Sequence, residues 1–384
     1  MNSSALSVLA TLFALSLPIH AETAPSSSAL TLQPFVERHG LAGAVTLVAD
    51  KDKVLNIEAV GFADIQAGKP MREDTLFWIA SQSKSITASA VMMLVDEGKI
   101  ALDDPVEKYL SEFRGQLVVA EKDDAHTLLR KPSRSITLRD VLSHMSGLTF
   151  QSAIEQPTLD SLPLAAAVRS YAMMPLQWEP GSRYQYSNAG INTAARVLEV
   201  VTQMPYEEFM RRRLFEPLGM KDTTFWPSAE QAARVAKSYR PNEAKNDLVE
   251  VPIAQLIYPL SDQVHRFPMP AGGLFSTARD VARFCQMLLN GGQLEGHRYL
   301  SEAALKELTR RQTPDSAKES YGLGFQVGGD EFGHGGAHST NMTIHPGPAL
   351  VVVWMVQHAG FAADGDQSQG AFKRWAFGRF GVGK

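Results

Sequence analysis

Strand-like segments stand at both ends of this 384-residue chain, and helical segments fill the middle. LAGAVTLVADKDKVLNIEAVGFAD holds two β-rich runs, 43–49 and 53–61, either side of a charged turn at 50–53, and reads as a hairpin. Near the other end, YGLGFQVGG, MTIHP and ALVVVWMVQHA return to strand character, and a last helix is predicted near 368–377. Between them, helical spacing runs through 79–98, closed by Gly98. It continues in TLRDVLSHM, NAGINTAARVLEVVTQ, PYEEFMRRRLF, TARDVARFCQMLLN and SEAALKELTRR. The terminal segments are therefore expected to form one antiparallel sheet flanked by helices. This is an α/β (α+β) fold with a mostly helical lobe inserted within roughly 100–270.

Composition narrows the function classes. A hydrophobic share of 44%, a charged share of 20% and a net charge of −4 describe an ordinary globular chain, with no basic run to hold nucleic acid. Arg211, Arg212 and Arg213 lie in a helical pattern and read as a solvated face. The single cysteine, Cys285, excludes an intramolecular disulfide and sits at an apolar helix position, as a small core residue does. The apolar run at 5–19, followed by HAETAPSSS, reads as a signal peptide over 1–21 and a linker over 22–32, ahead of one domain over 33–384. The expectation is an exported protein, periplasmic or secreted, with no membrane anchor after cleavage.

Inside FWIASQSKSITASAVMMLVDEGKI, Lys84 enters an apolar helix start. Buried without partners, an ammonium would cost several kcal/mol or lose its proton. Ser81 lies three residues before it, so on a helix the two side chains share a face about 5–6 Å apart at Cβ. A partly desolvated lysine there can take the proton of the serine hydroxyl. A lone S-x-x-K is also a common chance pattern.

Two further motifs stand far along the chain. In EPGSRYQYSNAG, Tyr186 offers a phenol that could shuttle protons to Lys84 and Ser81. Asn188 could hydrogen-bond substrate or lysine, or simply cap the helix beginning at Ala189. In DEFGHGGAHSTNM, Gly335 and Gly336 let backbone approach a ligand closely, and a strand edge offers N–H groups to an oxyanion. His334 reads equally as a surface loop histidine. His334, His338 and His345 fall on both faces of a strand with no carboxylate cluster, which argues against metal.

S-x-x-K, then Y-x-N, then H-x-G in that order resemble the serine β-lactamase and penicillin-binding-protein-like hydrolases, most closely the class C branch. TLRDVLSHMSGL, FEPLGMKDTTF, PAGGLFSTARDVARFCQMLLNGG and YGLGFQV also resemble family segments, whereas no G-x-S-x-G elbow of an α/β-hydrolase occurs. The resemblance implies an acyl-enzyme on Ser81, with Lys84 and Tyr186 as its proton-transfer partners and either one as the formal base. It implies Asn188 as a substrate- or lysine-orienting group, and backbone N–H groups of Ser81 and Ala337 as the oxyanion hole. It calls for no cofactor, and for a small-molecule ester, amide or lactam as partner.

His334 takes the position where β-lactamases of the family carry the lysine of K-T-G, and Gly335 replaces the threonine. The change weakens positive charge and deletes a hydroxyl, so neutral acyl esters are expected over substrates bearing a free carboxylate. His338 could narrow the pocket. The alternatives are a β-lactamase, a D-alanyl-D-alanine carboxypeptidase or D-aminopeptidase, or a non-catalytic penicillin-recognising protein on the same fold.

Overall fold

A computed structural model describes residues 26–253 and 256–381; the leader read at 1–21 lies outside the described residues. The chain runs α1 (Ser28–Glu37), β1 (Gly43–Ala49), β2 (Val54–Asp64), β3 (Lys69–Pro70), β4 (Phe77–Trp78) and α2 (Gln82–Asp96). An inserted region follows, with a hairpin β5 (Val118–Lys122) and β6 (Thr127–Arg130), then α3 (Leu138–Leu142), α4 (Leu164–Ala172) and α5 (Asn188–Thr202). It continues through α6 (Tyr206–Met210), α7 (Glu216–Leu218), α8 (Ala229–Ala232) and a second hairpin, β7 (Ser238–Pro241) with β8 (Leu248–Val251). The chain then returns through β9 (Phe275–Ser276), α9 (Ala278–Leu289), the short pair β10 (Gln293–Leu294) and β11 (His297–Arg298), and α10 (Glu302–Thr309). Strands β12 (Gln326–Gly328), β13 (Glu331–Gly335), β14 (Asn341–His345) and β15 (Leu350–Met355) lead to α11 (Ser368–Phe380).

The main sheet has the order β12-β13-β14-β15-β1-β2-β3, with every neighbouring pair antiparallel. The ends of the chain meet at β1 and β15, where Val45 faces Met355 and Ala49 faces Val351. Both strands are buried along their whole length because both faces are covered. Val45, Leu47, Val351, Val353 and Met355 enter the main core, whereas Val48, Val352 and Trp354 enter a second core with Phe372 and Trp375 of α11. This alternation is the period of a strand, and covering both faces turns an alternating pattern into an unbroken apolar run such as ALVVVWMV.

Residues 28–32, read from sequence as linker, belong instead to α1. Ser27 caps that helix, and the Glu58 carboxylate accepts from the Ala29 N–H and the Ser28 hydroxyl, both at 2.7 Å. An anion on β2 thus fixes a helix start that a serine run conceals. The inserted region, expected to be mostly helical, also holds the two hairpins. TLRDVL folds as predicted into α3, with a capping box between Thr137 and Asp140.

Candidate active site

Helix α2 decides the environment of Lys84. It begins one residue after Ser81, ends ahead of Gly98 at φ +67°, and is buried on all sides from Gln82 to Leu94. Ala80, just before it, sits at φ +45°, a left-handed backbone that costs an L-residue about 1–2 kcal/mol. Ser81 occupies the N-cap, yet its hydroxyl caps no backbone N–H; it lies 3.1 Å from Lys84 Nζ instead.

Lys84 is fully buried and makes no ion pair among the described residues. Its Nζ donates to Asn188 Oδ1 at 2.7 Å and to the Ala271 carbonyl at 2.6 Å. Burial holds the amine well below the ordinary lysine range. A neutral amine fits this set of contacts: two N–H groups serve two obligate acceptors, and the lone pair faces a hydroxyl that can donate.

Tyr186 closes the other side. Lys84 Nζ stands 4.7 Å from its ring centroid, and the Ser81 side chain beside its hydroxyl favours the ionised phenol, against the larger effect of burial. Burial raises the phenol well above its ordinary range, so it remains a proton donor at neutral pH. Asn188 is the first residue of α5 and is not its cap. Ser187 caps the helix by accepting from the Gly190 N–H at 3.0 Å, which leaves the Asn188 amide free for Lys84.

The strand wall is different. His334 is no surface residue: it is 3% exposed on β13. Its Nδ1 lies 2.6 Å from the Gly335 carbonyl, which can only accept, so Nδ1 carries the proton and Nε2 accepts from the Tyr321 hydroxyl at 2.9 Å. Burial, aided by Lys84 and opposed by the Gly335 hydrogen bond, pushes its pKa down to about 3. The ring is neutral with both nitrogens taken, and the substrate contact expected of it has no free atom to make it.

Beyond it, the backbone does the presenting. A Cβ on Gly336 would stand 2.2 Å from Thr340 Oγ1 and 2.6 Å from the Ile79 carbonyl, so only glycine lets this turn lie against the entry to α2. Neither the Ser81 N–H nor the Ala337 N–H has an acceptor among the described residues. The Ser81 N–H, and the Ala337 N–H on the turn whose Gly336 packs against the Ile79 carbonyl, are thus unspent donors of the kind a developing oxyanion uses. His338 and His345 go elsewhere, to Ser238 at 2.6 Å and to Glu331 at 3.3 Å.

Sequence reasoning missed His144, Tyr321 and Ala271. His144 carries φ +62°, and its carbonyl accepts from the Gln185 N–H while its Nδ1 accepts from the Ser187 N–H, so one residue pins both neighbours of Tyr186. Its ring lies 4.6 Å from that of Tyr186. His144 Nε2 and the whole Gln82 amide are among the buried polar groups that lack partners among the described residues. Each such group costs about 1–3 kcal/mol.

A model of the beta-lactamase family matches residues 29–371. The chain belongs to this family of serine hydrolases. Esterase EstB of Burkholderia gladioli is 33% identical over 312 residues, spanning 75% of this chain and 74% of that protein. A Mycobacterium tuberculosis protein whose name states no activity is 33% identical over 354 residues, 83% of this chain and 86% of its own. Among solved structures, EstCE1, described as a hydrolase with promiscuous acyltransferase activity, superposes with a TM-score of 0.76 at 22% identity. That match covers 91% of this chain and 97% of EstCE1. The family resemblance read from the ordered segments is borne out, and so is the fold: an antiparallel sheet flanked by helices in the beta-lactamase and transpeptidase manner.

Proposed function

We propose that this family member is an exported carboxylesterase-type hydrolase acting on small neutral acyl substrates. Ser81 Oγ bonds to the substrate carbonyl carbon as neutral Lys84 takes its proton, and the N–H groups of Ser81 and Ala337 hold the oxyanion. The bond to the leaving oxygen then breaks as the Tyr186 phenol protonates it, and the proton on Lys84 restores the phenol. Water enters and the same groups act in reverse, releasing the acid. Lys84 is the base in this scheme because burial favours the neutral form of both groups: an amine that can accept and a phenol that can only donate.

The observation that carries the substrate class is His334. It is neutral with both nitrogens engaged, so the site lacks a cation at the place where relatives of the K-T-G type carry one. The 33% identity to an esterase supports the same reading. Hydrolysis of nitrophenyl acetate and of a chromogenic cephalosporin, by wild type and Ser81→Ala, tests it. Ester turnover lost in Ser81→Ala is expected; cephalosporin hydrolysis near the diffusion ceiling, about 10⁷–10⁸ M⁻¹s⁻¹, would sink it. Absence of a Ser81 adduct with a fluorophosphonate would revive the non-catalytic alternative. Export rests on the apolar run at 5–19. Sequencing the N-terminus of cell-expressed protein checks it, and a cytoplasmic product retaining residues 1–21 removes it.

A further inference from the structure

Lys84 has two fixed acceptors, and one helix controls both. Asn188 and Asn192 lie one turn apart on α5: the first accepts directly from Lys84, and the second accepts from the Ala271 N–H at 3.1 Å. The Ala271 carbonyl then accepts from Lys84 at 2.6 Å. Asn192 is itself held at its other end, where Nδ2 donates to the Tyr171 hydroxyl at 3.0 Å. That hydroxyl donates to Glu155 Oε1 at 2.6 Å, and Glu155 Oε2 accepts from the Ser152 N–H at 2.6 Å. Each bond in the chain has one possible sense, because an amide N–H donates and a carboxylate accepts.

We propose that Glu155, Tyr171 and Asn192 form a buried brace that holds the Ala271 carbonyl against Lys84, which makes them positioning residues for the base. The proposal rests on Lys84 acting as the base for Ser81. Glu155 is 2% exposed, and an apolar side chain of similar size would fill its space without the cost of a buried carboxylate. What an apolar side chain could not do is fix the rotation of Tyr171 and, through it, Asn192. The same loop is tied a second time to the same stretch: the buried Asp160 carboxylate pairs with Arg266 at 2.7 Å, and the Asp160 carbonyl accepts from the Phe267 N–H. Flanking carbonyls are engaged too, Pro270 by Thr87 and Gly272 by the Trp78 indole. The segment carrying Ala271 is thus fastened on every side, with the amine of Lys84 at its centre.

The test measures kcat and KM for nitrophenyl acetate, together with the rate of Ser81 labelling by a fluorophosphonate, which reports serine activation without the substrate. Tyr171→Phe and Asn192→Leu are expected to lower kcat and labelling rate together, about 10- to 100-fold, with KM within about threefold. The double variant should be no worse than Asn192→Leu, since both cut one chain. Glu155→Gln keeps an oxygen for Tyr171 but turns an NH2 toward the Ser152 N–H, so it should lose less than Glu155→Leu, which should fall with the others. Tyr171→Phe deletes one oxygen and carries the test alone if Asn192→Leu fails to fold. Folded Tyr171→Phe that labels and turns over at the wild-type rate, beside an inert Ser81→Ala, overturns the brace and leaves the serine mechanism standing. Hydrolysis or labelling that persists in Ser81→Ala overturns the mechanism, and the brace with it.

Discussion

Lys84 and His334 are both nitrogen bases buried beside Tyr186, and burial drives both to the neutral form. They end in opposite states. Lys84 has two acceptors for its two N–H groups and a lone pair left over toward Ser81. His334 has one acceptor, one donor and nothing left. Burial therefore sets the charge, and the partner set decides whether a group can act. In the proposed mechanism the helix side supplies a side chain for proton transfer, whereas the strand side supplies backbone N–H groups and keeps its imidazole engaged.

Variants can break that contrast. Ser81→Ala should lose at least about 10⁴-fold in kcat with the fold intact, measured on nitrophenyl acetate. Lys84→Met should lose about 10²–10⁴-fold, the range of a lost general base. On the strand side the backbone should matter more than the imidazole. Gly336→Ala is expected to cost about 10²-fold in kcat/KM, because its Cβ has no room against Ile79. Gly335→Ala meets nothing nearer than 3.6 Å and should stay within a few-fold, on the order of 1 kcal/mol or less. Tyr321→Phe, which frees His334 Nε2, should change kcat/KM by no more than about fivefold. A loss near that of Lys84→Met would show that His334 does chemistry after all.

The smallest effect on rate is also the broadest on stability. Burial lowers His334 to about 3 and His338 and His358 to about 4, against about 6.5 in an unfolded chain. Between those values the unfolded chain binds protons that the native one does not, so stability rises with pH across that window and is lost as pH falls through it. Asp280, pushed up to about 6 by burial, works in the opposite direction below that pH, as do Glu155 and Glu207, which burial also raises, whereas His144 and His345, lowered by burial, act with the other three imidazoles. Melting temperature should therefore fall on acidification from pH 7 to 4.5, by an amount on the order of a few kcal/mol in stability. A flat profile would mean that these imidazoles are not held neutral by the fold.

Much of this was legible in the sequence, for reasons that differ by residue. Ser81 and Lys84 announced themselves because an idle lysine in apolar company is costly. Strands β1, β2 and β15 were legible from unbroken or alternating apolar runs. Tyr186 and Asn188 gained meaning only from their order after S-x-x-K, since each alone fits a loop aromatic or a cap. Helix α1 hid behind serines because its anchor, Glu58, comes from another strand. Asn192, Tyr171 and Glu155 were invisible for a similar reason: they meet through tertiary contacts, and no periodicity marks a residue whose partner is a distant carbonyl. His144 stood in a segment read only for its helix and its family likeness, while its work depends on a backbone turn at φ +62°.

The meeting of β1 with β15 has a consequence for how the enzyme comes into being. Val45 waits for Met355 across 310 residues, among the longest closures the chain could make, and such non-local pairings form late. Ser81 and Lys84 leave the ribosome early, yet the Ala337 N–H and the strands that carry it arrive only with the last sixth of the chain. Hydrolase activity thus doubles as a report of late synthesis: a chain stalled or clipped before β13 would carry Ser81 and Lys84 without the Ala337 N–H that the proposed mechanism gives to the oxyanion.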